Sequence, residues 1–318
     1  KMEGTGQNRW AHAPSKLTID LSAVVANYQT LAKMCSSAEC AAVVKANAYG
    51  LGAAPIVKAL AGAGCRTFFV ATLDEGIELR QITQHTIYVL NGISCEDASE
   101  YRAHTLRPVL NDLDQIDIWR RHSDDTPAPP AAIHVDTGMN RLGLSQTLLE
   151  QIGKWEKLYD GLNVSLLMSH LACADESYDE KNFEQLQSFH RIIATSKDIP
   201  ASLSASSGIF LGPDWHFDLV RPGFALYGGN PQQTAPNPLE PVVQLSAKIL
   251  QCRAVAKGET VGYGGCYKFN TDKRIATIAV GYADGFFRSL SCCGKVFIGK
   301  IPLPVLGRVS MDLIAVEI

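Results

Sequence analysis

The chain has 318 residues and a formal net charge of -3, with no run of lysine or arginine residues. This composition excludes the basic surfaces typical of nucleic-acid-binding and anionic-membrane-binding proteins, so we expect a small-molecule ligand. The nine cysteines are odd in number and form no CxxC pair, which argues against a disulfide framework and a zinc site. No apolar stretch approaches the length of a membrane span and no signal-peptide core is found, so a cytoplasmic protein is predicted.

The predicted elements begin after a polar N-terminal extension, residues 1–15. Beyond it, apolar runs alternate with stretches of helical spacing. Strands are predicted at 41–45, 67–72, 86–91, 107–110, 131–136, 164–170, 201–205 and 218–227. Helices are predicted at 22–34, 53–62, 73–81, 113–120, 146–158 and 180–196.

Strands that alternate with helices in this way are typical of a (β/α)8 TIM barrel, whose active site lies at the carboxyl ends of the strands. The sequence therefore predicts a barrel over residues 16–235. Polar groups follow several of its strands, and we expect them to converge at one end: Lys45, Asp136 to Arg141, His170, Ser206 and Arg221.

The segment Asn230–Pro241 contains four prolines and almost no large apolar side chain. It is predicted to be an interdomain linker. Short β-rich runs separated by glycines follow it, without a convincing helical pattern. We expect a smaller all-β domain over residues 236–318, which ends within an apolar alternation, as a truncated domain would.

Lys45 closes the apolar run Ala41–Val44. Lysine is seldom fully buried, so a lysine at a strand end either extends into solvent or has a chemical role. As a neutral amine it could attack a carbonyl and form a Schiff base, as pyridoxal phosphate (PLP) requires. On these residues alone both interpretations stay open, and the solvated lysine is the commoner one.

Seven motifs stand in order along nearly the whole chain: VVKANAYGLG at 43–52, HVDTGMNRLGL at 134–144, MSHLACADE at 168–176, VRPGFALYG at 220–228, VGYGGCY at 261–267, VGYADGF at 280–286 and GRVSMD at 307–312. Together they resemble the alanine racemase family, PLP-dependent isomerases of fold type III. The resemblance implies a barrel with a β-domain, a homodimer with shared active sites, and interconversion of L- and D-alanine by two bases. It also implies a supply of D-alanine for peptidoglycan.

The resemblance assigns roles to individual residues. Lys45 matches the lysine that binds PLP and acts as one base, and Tyr263 matches a second base supplied by the partner subunit. Met311 matches a substrate-binding residue, and Tyr282 and Asp312 match residues of the entrance. The other cofactor-binding residues that it implies are Tyr49, Arg141, His170, Ser206, Arg221, Gly223 and Phe224.

The resemblance gives more specific roles to the two arginines among these residues. Arg141 matches a residue that contacts the PLP ring hydroxyl and the substrate carboxylate. Arg221 matches a residue that faces the pyridine nitrogen, where a permanent cation weakens the electron sink and favours prompt reprotonation.

The sequence departs from the family at His134, where many members have a carbamylated lysine, and at Ala205, where an asparagine is common. The family also continues beyond the equivalent of Ile318.

Three alternatives remain open from the sequence. A serine or broad-specificity racemase, or an amino-acid decarboxylase, would share the fold type, although the motifs VGYGGCY and SMD match the racemase β-domain. A non-catalytic PLP carrier resembles the barrel alone, so a β-domain with Tyr263 counts against it. Activity separates them: a change of chirality in alanine or another amino acid, release of carbon dioxide, or neither.

Overall fold

The computed structural model describes residues 12–35, 37–122, 128–153, 156–194, 196 and 198–318. These residues form two compact units. One unit is Ile19–Val242, and the other combines the described residues up to Thr18 with Val243–Ile318. Residues 1–11 of the predicted N-terminal extension lie outside the described residues.

The elements are numbered in chain order. The helices are α1 (Leu21–Met34), α2 (Lys45–Tyr49), α3 (Ala53–Gly62), α4 (Leu73–Arg80), α5 (Ala98–Ala103), α6 (Leu113–Arg121), α7 (Gln146–Ile152), α8 (Glu156–Tyr159) and α9 (Glu180–Ile193). The strands are β1 (Ser15–Ile19), β2 (Glu39–Cys40), β3 (Ala42–Val43), β4 (Thr67–Val70), β5 (Thr86–Val89), β6 (Arg107–Leu110), β7 (Pro130–His134), β8 (Asn163–Met168), β9 (Ala201–Ser202), β10 (Leu219–Val220), β11 (Val243–Ala247), β12 (Ile249–Val255), β13 (Thr260–Val261), β14 (Tyr267–Lys268), β15 (Lys273–Ile278), β16 (Lys295–Ile298), β17 (Ile301–Leu306) and β18 (Ile314–Glu317).

The first unit is a closed barrel of parallel strands. Strands β3 to β9 follow one another in a single sheet, and β2, which continues into β3, pairs with β10. The ring closes where the Asp218 N–H donates to Ala201 O at 3.0 Å and the Arg221 N–H donates to Ser204 O at 2.9 Å. The predicted (β/α)8 barrel is confirmed.

The alternation of side chains along each strand divides the apolar residues between two cores. The side chains inside the ring form a packed cluster that includes Phe69, Tyr88, Val109, Leu166 and Met168. A larger cluster lies between the sheet and the helices. Because side chains fill the interior of the ring, a ligand site can lie at the end of the barrel but not in a central pore.

Two predicted elements are interrupted in the structure. The single helix predicted over 146–158 is two helices, because Gly153 adopts a left-handed φ of 67° and ends α7. The strand predicted over 218–227 is limited to β10, and Phe224–Tyr227 forms a 3-10 turn. Pro222 explains this end, since it has no N–H with which to continue the ladder.

The segment Asn230–Pro241, predicted as an interdomain linker, packs with the barrel unit. The Glu240 N–H donates to Asn27 Oδ1 at 2.7 Å, and Asn27 Nδ2 donates to Glu240 O at 2.9 Å. Leu239 is buried in the barrel's outer core. The compact units therefore divide after Val242, and not at the predicted boundary after residue 235.

The second unit is built from antiparallel strands, as predicted for a smaller β-domain. Its main sheet has the order β12-β15-β18-β17-β16, and two pairs, β13-β14 and β1-β11, accompany it. Apolar side chains from β15, β17 and β18 form its core. Across both units, none of the described helices combines the length and apolarity that crossing a bilayer requires.

Candidate active site

A cavity of about 520 Å³ lies at the carboxyl ends of the barrel strands. Its wall is made by residues that end or follow β3, β7, β8, β9 and β10, which is where a (β/α)8 barrel carries its site. All the residues predicted to bind a cofactor lie in this wall: Lys45, Tyr49, Arg141, His170, Ser206, Arg221, Gly223 and Phe224.

Lys45 is the first residue of α2, and the turn that follows it has the wrong hand for an α-helix. Residues Ala46–Tyr49 have φ values between 52° and 56°. Glu75 supports this turn, because its Oε1 accepts the Ala46 N–H at 2.7 Å while its Oε2 accepts the Ala71 N–H at 2.7 Å. Tertiary contacts, and not local preference, therefore set the position of Lys45.

Ser206 organises the end of the cavity that follows β9 and β10. Its Oγ accepts the N–H groups of Gly223 at 3.0 Å and Ala225 at 3.1 Å. Both oxygen lone pairs are thereby used, so the O–H is left to donate to a ligand. The Gly223 N–H is thus engaged by Ser206. Other N–H groups remain for an anion at the first residues of two 3-10 turns, Ser207–Leu211 and Phe224–Tyr227.

Tyr49 packs beside this end of the cavity. Its ring centroid lies 4.7 Å from that of Tyr227, whose Oη donates to Val43 O at 3.0 Å. The sequence reasoning missed Tyr227, because a tyrosine at the end of a predicted strand carries no signal beyond packing. Its hydroxyl ties the segment after β10 to the strand that precedes Lys45.

Arg221 is 3% exposed and its guanidinium reaches several neutral acceptors. It donates to Ser202 Oγ, to Ser169 O at 2.6 Å and to Leu203 O at 3.3 Å. Its Nη2 also lies 3.5 Å from His170 Nδ1, which must therefore be an acceptor on a neutral ring. Burial is the main cause that lowers the pKa of His170 to about 3, and the charge of Arg221 acts in the same direction. Within the described part of the chain, no carboxylate forms an ion pair with Arg221.

Arg141 lies in the loop between β7 and α7. The Asp136 carboxylate caps this loop, since its Oδ1 accepts the N–H groups of Gly138 at 2.9 Å, Met139 at 2.9 Å and Asn140 at 3.2 Å. The sequence reasoning did not assign this cap, although an aspartate followed two residues later by glycine is a turn signal. The cap defines the backbone from which Arg141 enters the cavity.

His134 and Ala205, the two departures from the family pattern, also line the cavity. His134 is 8% exposed, and its Nδ1 lies 2.8 Å from Asn111 Oδ1. The sequence reasoning did not find Asn111, because nothing in the chain around that residue marks it as a partner of His134.

The other predicted residues belong to the second unit. Tyr263 begins a 3-10 turn between β13 and β14 and is 72% exposed. The Tyr282 N–H donates to Ser310 O at 3.1 Å, which places Tyr282 beside Met311 and Asp312. Within this unit the predicted substrate and entrance residues are therefore neighbours.

The groups in the cavity wall fit PLP. Lys45, Arg141 and Arg221 bring cationic side chains to one space, which suits a ligand with a phosphate and a substrate with a carboxylate. The Ser206 hydroxyl and the helical-turn N–H groups follow β9 and β10, the seventh and eighth strands of the ring, where barrels commonly bind phosphate. Lys45 supplies the amine that an aldehyde cofactor requires.

Comparison with known proteins identifies the family. The model of the alanine racemase N-terminal domain matches residues 19–231, and that of the alanine racemase C-terminal domain matches residues 242–318. The chain belongs to the alanine racemase family. It is thus an amino-acid racemase, an isomerase of a PLP-dependent family.

Individual alanine racemases agree with this assignment over most of their length. An alanine racemase of Acidiphilium cryptum is 50% identical over 304 residues, covering 95% of this chain and 85% of that protein. A catabolic alanine racemase of Agrobacterium fabrum is 45% identical over 320 residues, covering 100% of this chain and 82% of that protein. The crystal structure of the Bartonella henselae alanine racemase with covalently bound PLP has a TM-score of 0.90 at 41% identity, covering 96% and 86% of the two chains.

Proposed function

We propose that this chain interconverts L- and D-alanine with PLP held at the mouth of the barrel. The observation that carries this proposal is the convergence of Lys45, Arg141, His170, Ser206 and Arg221 on one cavity. PLP, when bound, withdraws electrons from the α-carbon of the amino acid and so makes its α-proton removable. The protein must then hold the substrate, remove the proton from one face and return a proton to the other.

Lys45 would hold the cofactor through its amine and then act as the base on one face of the α-carbon. Arg141 would bind the substrate carboxylate through its planar fork of donors. The Ser206 hydroxyl, whose acceptor positions are occupied, would donate to the phosphate. Lys45 and Ser206 would hold the cofactor and Arg141 the amino acid, so that the α-proton faces Lys45.

Arg221 and His170 would contact the cofactor ring. Arg221 is buried among neutral acceptors, and although burial lowers its pKa to about 9, its guanidinium is positively charged at neutral pH and faces the cavity. A cation beside the pyridine nitrogen would disfavour protonation of that nitrogen and limit side reactions. His170, neutral with Nδ1 as acceptor, retains an Nε2–H donor.

The second face of the α-carbon requires a second acid-base group. We propose that Tyr263 of the partner subunit supplies it, in a homodimer with two shared sites, and that Met311, Tyr282 and Asp312 of the partner subunit complete the substrate site and its entrance. Racemisation by proton transfer at both faces demands two groups on opposite sides of a planar centre. The exposure of Tyr263, 72%, leaves its hydroxyl free to enter another subunit's site.

The experiment is the racemisation of L-alanine by the purified protein with added PLP, followed by polarimetry. We expect Lys45→Ala to lower kcat by about a thousandfold or more, because it removes both the cofactor linkage and one base. Lys58→Ala, at an exposed lysine on α3, is the matched control and should keep full activity. Release of carbon dioxide without a change of chirality would instead identify a decarboxylase.

Substrate breadth is tested in the same assay by comparing kcat/KM for alanine and serine. We expect alanine to be preferred, by the factor of roughly ten to a hundred that one small group in a pocket provides. A preference for serine or lysine would overturn the proposed substrate.

We propose a supply of D-alanine for peptidoglycan as the cellular role. Two relatives are described as catabolic, which favours breakdown of D-alanine as the second candidate. Deletion of the gene distinguishes them: a requirement for D-alanine supports synthesis, and loss of growth on D-alanine alone supports breakdown.

A further inference from the structure

Helix α9 buries three polar side chains on one of its faces. Asn182, Gln185 and Ser188 follow one another at intervals of three residues and are 0%, 0% and 3% exposed. Polar side chains are seldom fully buried unless hydrogen bonds hold them there. The first two of these residues bond to the loops that follow β7 and β8, which carry Arg141 and His170 into the cavity.

The amide group of Gln185 makes three hydrogen bonds. Its Nε2 donates to His170 O at 2.8 Å and to Thr137 Oγ1 at 3.1 Å, and its Oε1 accepts the Ala172 N–H at 2.8 Å. The orientation of the amide is fixed, because the His170 carbonyl can only accept and the Ala172 N–H can only donate. Both amide protons of Gln185 are therefore engaged, one with each loop.

The two bonds to the loop after β8 hold the part of that loop that forms the cavity wall. His170, Leu171 and Ala172 all line the cavity, whereas Gln185 itself does not. A residue has only two soft backbone dihedrals, so fixing the carbonyl of His170 and the N–H of Ala172 restrains the backbone between them. Gln185 therefore restrains the direction in which the His170 ring enters the cavity.

The bond from Gln185 to Thr137 reaches the other loop, between β7 and α7. Thr137 is 5% exposed, and its Oγ1 lies 2.8 Å from Ser169 Oγ, within hydrogen-bond distance. The carbonyl of Ser169 in turn accepts a hydrogen bond from Arg221 at 2.6 Å. Through Gln185, Thr137 and Ser169, one buried set of hydrogen bonds thus joins both cavity loops to the Arg221 guanidinium.

We propose that Gln185 is a positioning residue that holds His170 and the loop of Arg141 in a fixed relation to each other and to Arg221. The roles of these three residues toward cofactor and substrate rest on the proposed function. A neutral amide suits the position of Gln185, because it supplies two donors and an acceptor at once, which an apolar side chain of similar length does not. The geometry of the cofactor site therefore depends on a residue outside the cavity wall.

Cofactor binding and turnover of Gln185→Met test the positioning role, because methionine keeps the length of the side chain without its hydrogen bonds. We expect PLP to bind the apoprotein about tenfold more weakly, the effect of one or two hydrogen bonds. At saturating PLP, kcat for alanine should stay about tenfold below wild type, since the groups that meet the cofactor remain misplaced.

Two variants of the same helix are the controls. Gln187→Met changes an exposed glutamine and should match wild type. Phe189→Leu changes a buried apolar residue, so it should lower the stability of the helix but leave PLP affinity unaltered. Wild-type PLP affinity in Gln185→Met, an equal loss of affinity in Phe189→Leu, or full recovery of kcat at saturating PLP overturns the proposal.

The pH profile of Gln185→Glu separates positioning from simple packing. Burial raises the pKa of a carboxyl group. Below that pKa the neutral carboxyl can donate to His170 O, and above it the anion repels this oxygen. Relative to wild type, we expect PLP binding by Gln185→Glu to weaken as pH rises through the neutral range. A profile parallel to that of wild type contradicts the positioning role, because the two side chains have nearly the same shape.

Two measurements on the apoprotein need neither cofactor nor turnover. In protein labelled with nitrogen-15 at histidine, the His170 ring signal, assigned by its loss in His170→Gln, should shift in Gln185→Met and stay unchanged in Phe189→Leu. In wild type, the Ala172 N–H should exchange with D₂O slowly, as a buried hydrogen-bonded N–H does. Rapid exchange of this N–H overturns the proposal even where Gln185→Met folds poorly, and so does a His170 signal that shifts equally in both variants.

These measurements also distinguish the role of Gln185 from the proposed function. If the Gln185 variants change PLP affinity and the His170 signal as expected, yet wild type does not racemise alanine, the proposed function fails and the positioning role stands. If wild type racemises alanine and the Gln185 variants bind PLP as wild type does, the positioning role fails alone.

Discussion

At the scale of single residues, Gly223 occupies a space that admits no side chain. A Cβ at this position would lie 2.3 Å from Tyr49 Oη and 3.2 Å from Val43 Cβ. The φ of Gly223 is -129°, which lies outside the left-handed region that favours glycine. The close contact with Tyr49 is therefore the reason that glycine is required here.

We expect Gly223→Ala to weaken PLP binding by about tenfold or more, since overpacking of this kind costs about 1–3 kcal/mol. The measurement is a titration of the apoprotein with PLP followed by absorbance. Adding Tyr49→Phe, which removes the conflicting oxygen, should recover part of the loss. Gly62→Ala is the control, because a Cβ at Gly62 meets nothing within 4 Å; a loss of similar size there, or no rescue by Tyr49→Phe, would refute the steric explanation.

The two cavity histidines make stability depend on pH. Their pKa values fall from 6.5 to about 4 for His134 and about 3 for His170, mainly through burial. Between those values and 6.5, the unfolded chain binds protons that the folded chain does not. The stabilisation is therefore complete above pH 6.5 and is lost as pH falls toward the folded-state pKa values.

His170→Gln should flatten this dependence by about 1.4 kcal/mol per pH unit below pH 6.5, the effect of one proton. The free energy of unfolding of the apoprotein, measured in urea at several pH values, reports it. The control His12→Gln changes an exposed histidine and should leave the slope unaltered. An identical slope in wild type and His170→Gln would contradict a neutral, buried His170.

At the scale of elements, the left-handed turn after Lys45 is the most unusual feature of the barrel. Each residue in this conformation costs about 1–2 kcal/mol when it is not glycine. The structure compensates from outside the turn, because the two carboxylate oxygens of Glu75 on α4 accept the N–H groups of Ala46 and Ala71, both at 2.7 Å. Helix α4 thus fixes the segment that presents Lys45.

We expect Glu75→Gln to weaken PLP binding and to lower stability by about 1–3 kcal/mol, because glutamine keeps one acceptor and turns a donor toward the other N–H. PLP titration and thermal unfolding measure the two effects. Glu78→Gln, on the same helix and exposed, is the matched control. If both variants behave alike, Glu75 supports only its own helix.

At the scale of the whole molecule, the shared-site proposal predicts complementation between inactive variants. Lys45→Ala and Tyr263→Ala dimers, dissociated together and reassociated at random in equal amounts, should form about half mixed dimers. In each mixed dimer one site carries both defects and the other carries none. About a quarter of wild-type activity should therefore return, as measured with L-alanine.

Two controls are needed to interpret an absence of complementation between these variants. Subunit exchange must be verified by mass, and Tyr263→Ala alone should still exchange the α-proton of one alanine enantiomer in D₂O, because one base remains. If exchange of subunits is verified and no activity returns, the two bases do not come from different subunits. Normal racemisation by Tyr263→Ala would remove that tyrosine from the mechanism.

The order of the elements and the chemical groups available to them follow from the amino-acid sequence. Buried parallel strands are short apolar runs, and helices have their own spacing, so the barrel was readable from local pattern. The motif order identified the family, and the position of polar residues just after strands predicted which groups meet, as Lys45 and Ser206 do.

The way in which those groups are held depends on contacts between residues far apart in the chain. Asn111 and His134 are 23 residues apart, and Glu75 and Ala46 are 29 apart, so no local pattern records either contact. The left-handed turn after Lys45 runs against the local preference of its residues and exists because distant groups support it. The segment Asn230–Pro241 has the composition of a linker and yet joins the barrel, because Asn27 of α1 bonds its backbone. Long-range hydrogen bonds of buried polar groups are a property of the packed chain, which is why they lay beyond the sequence.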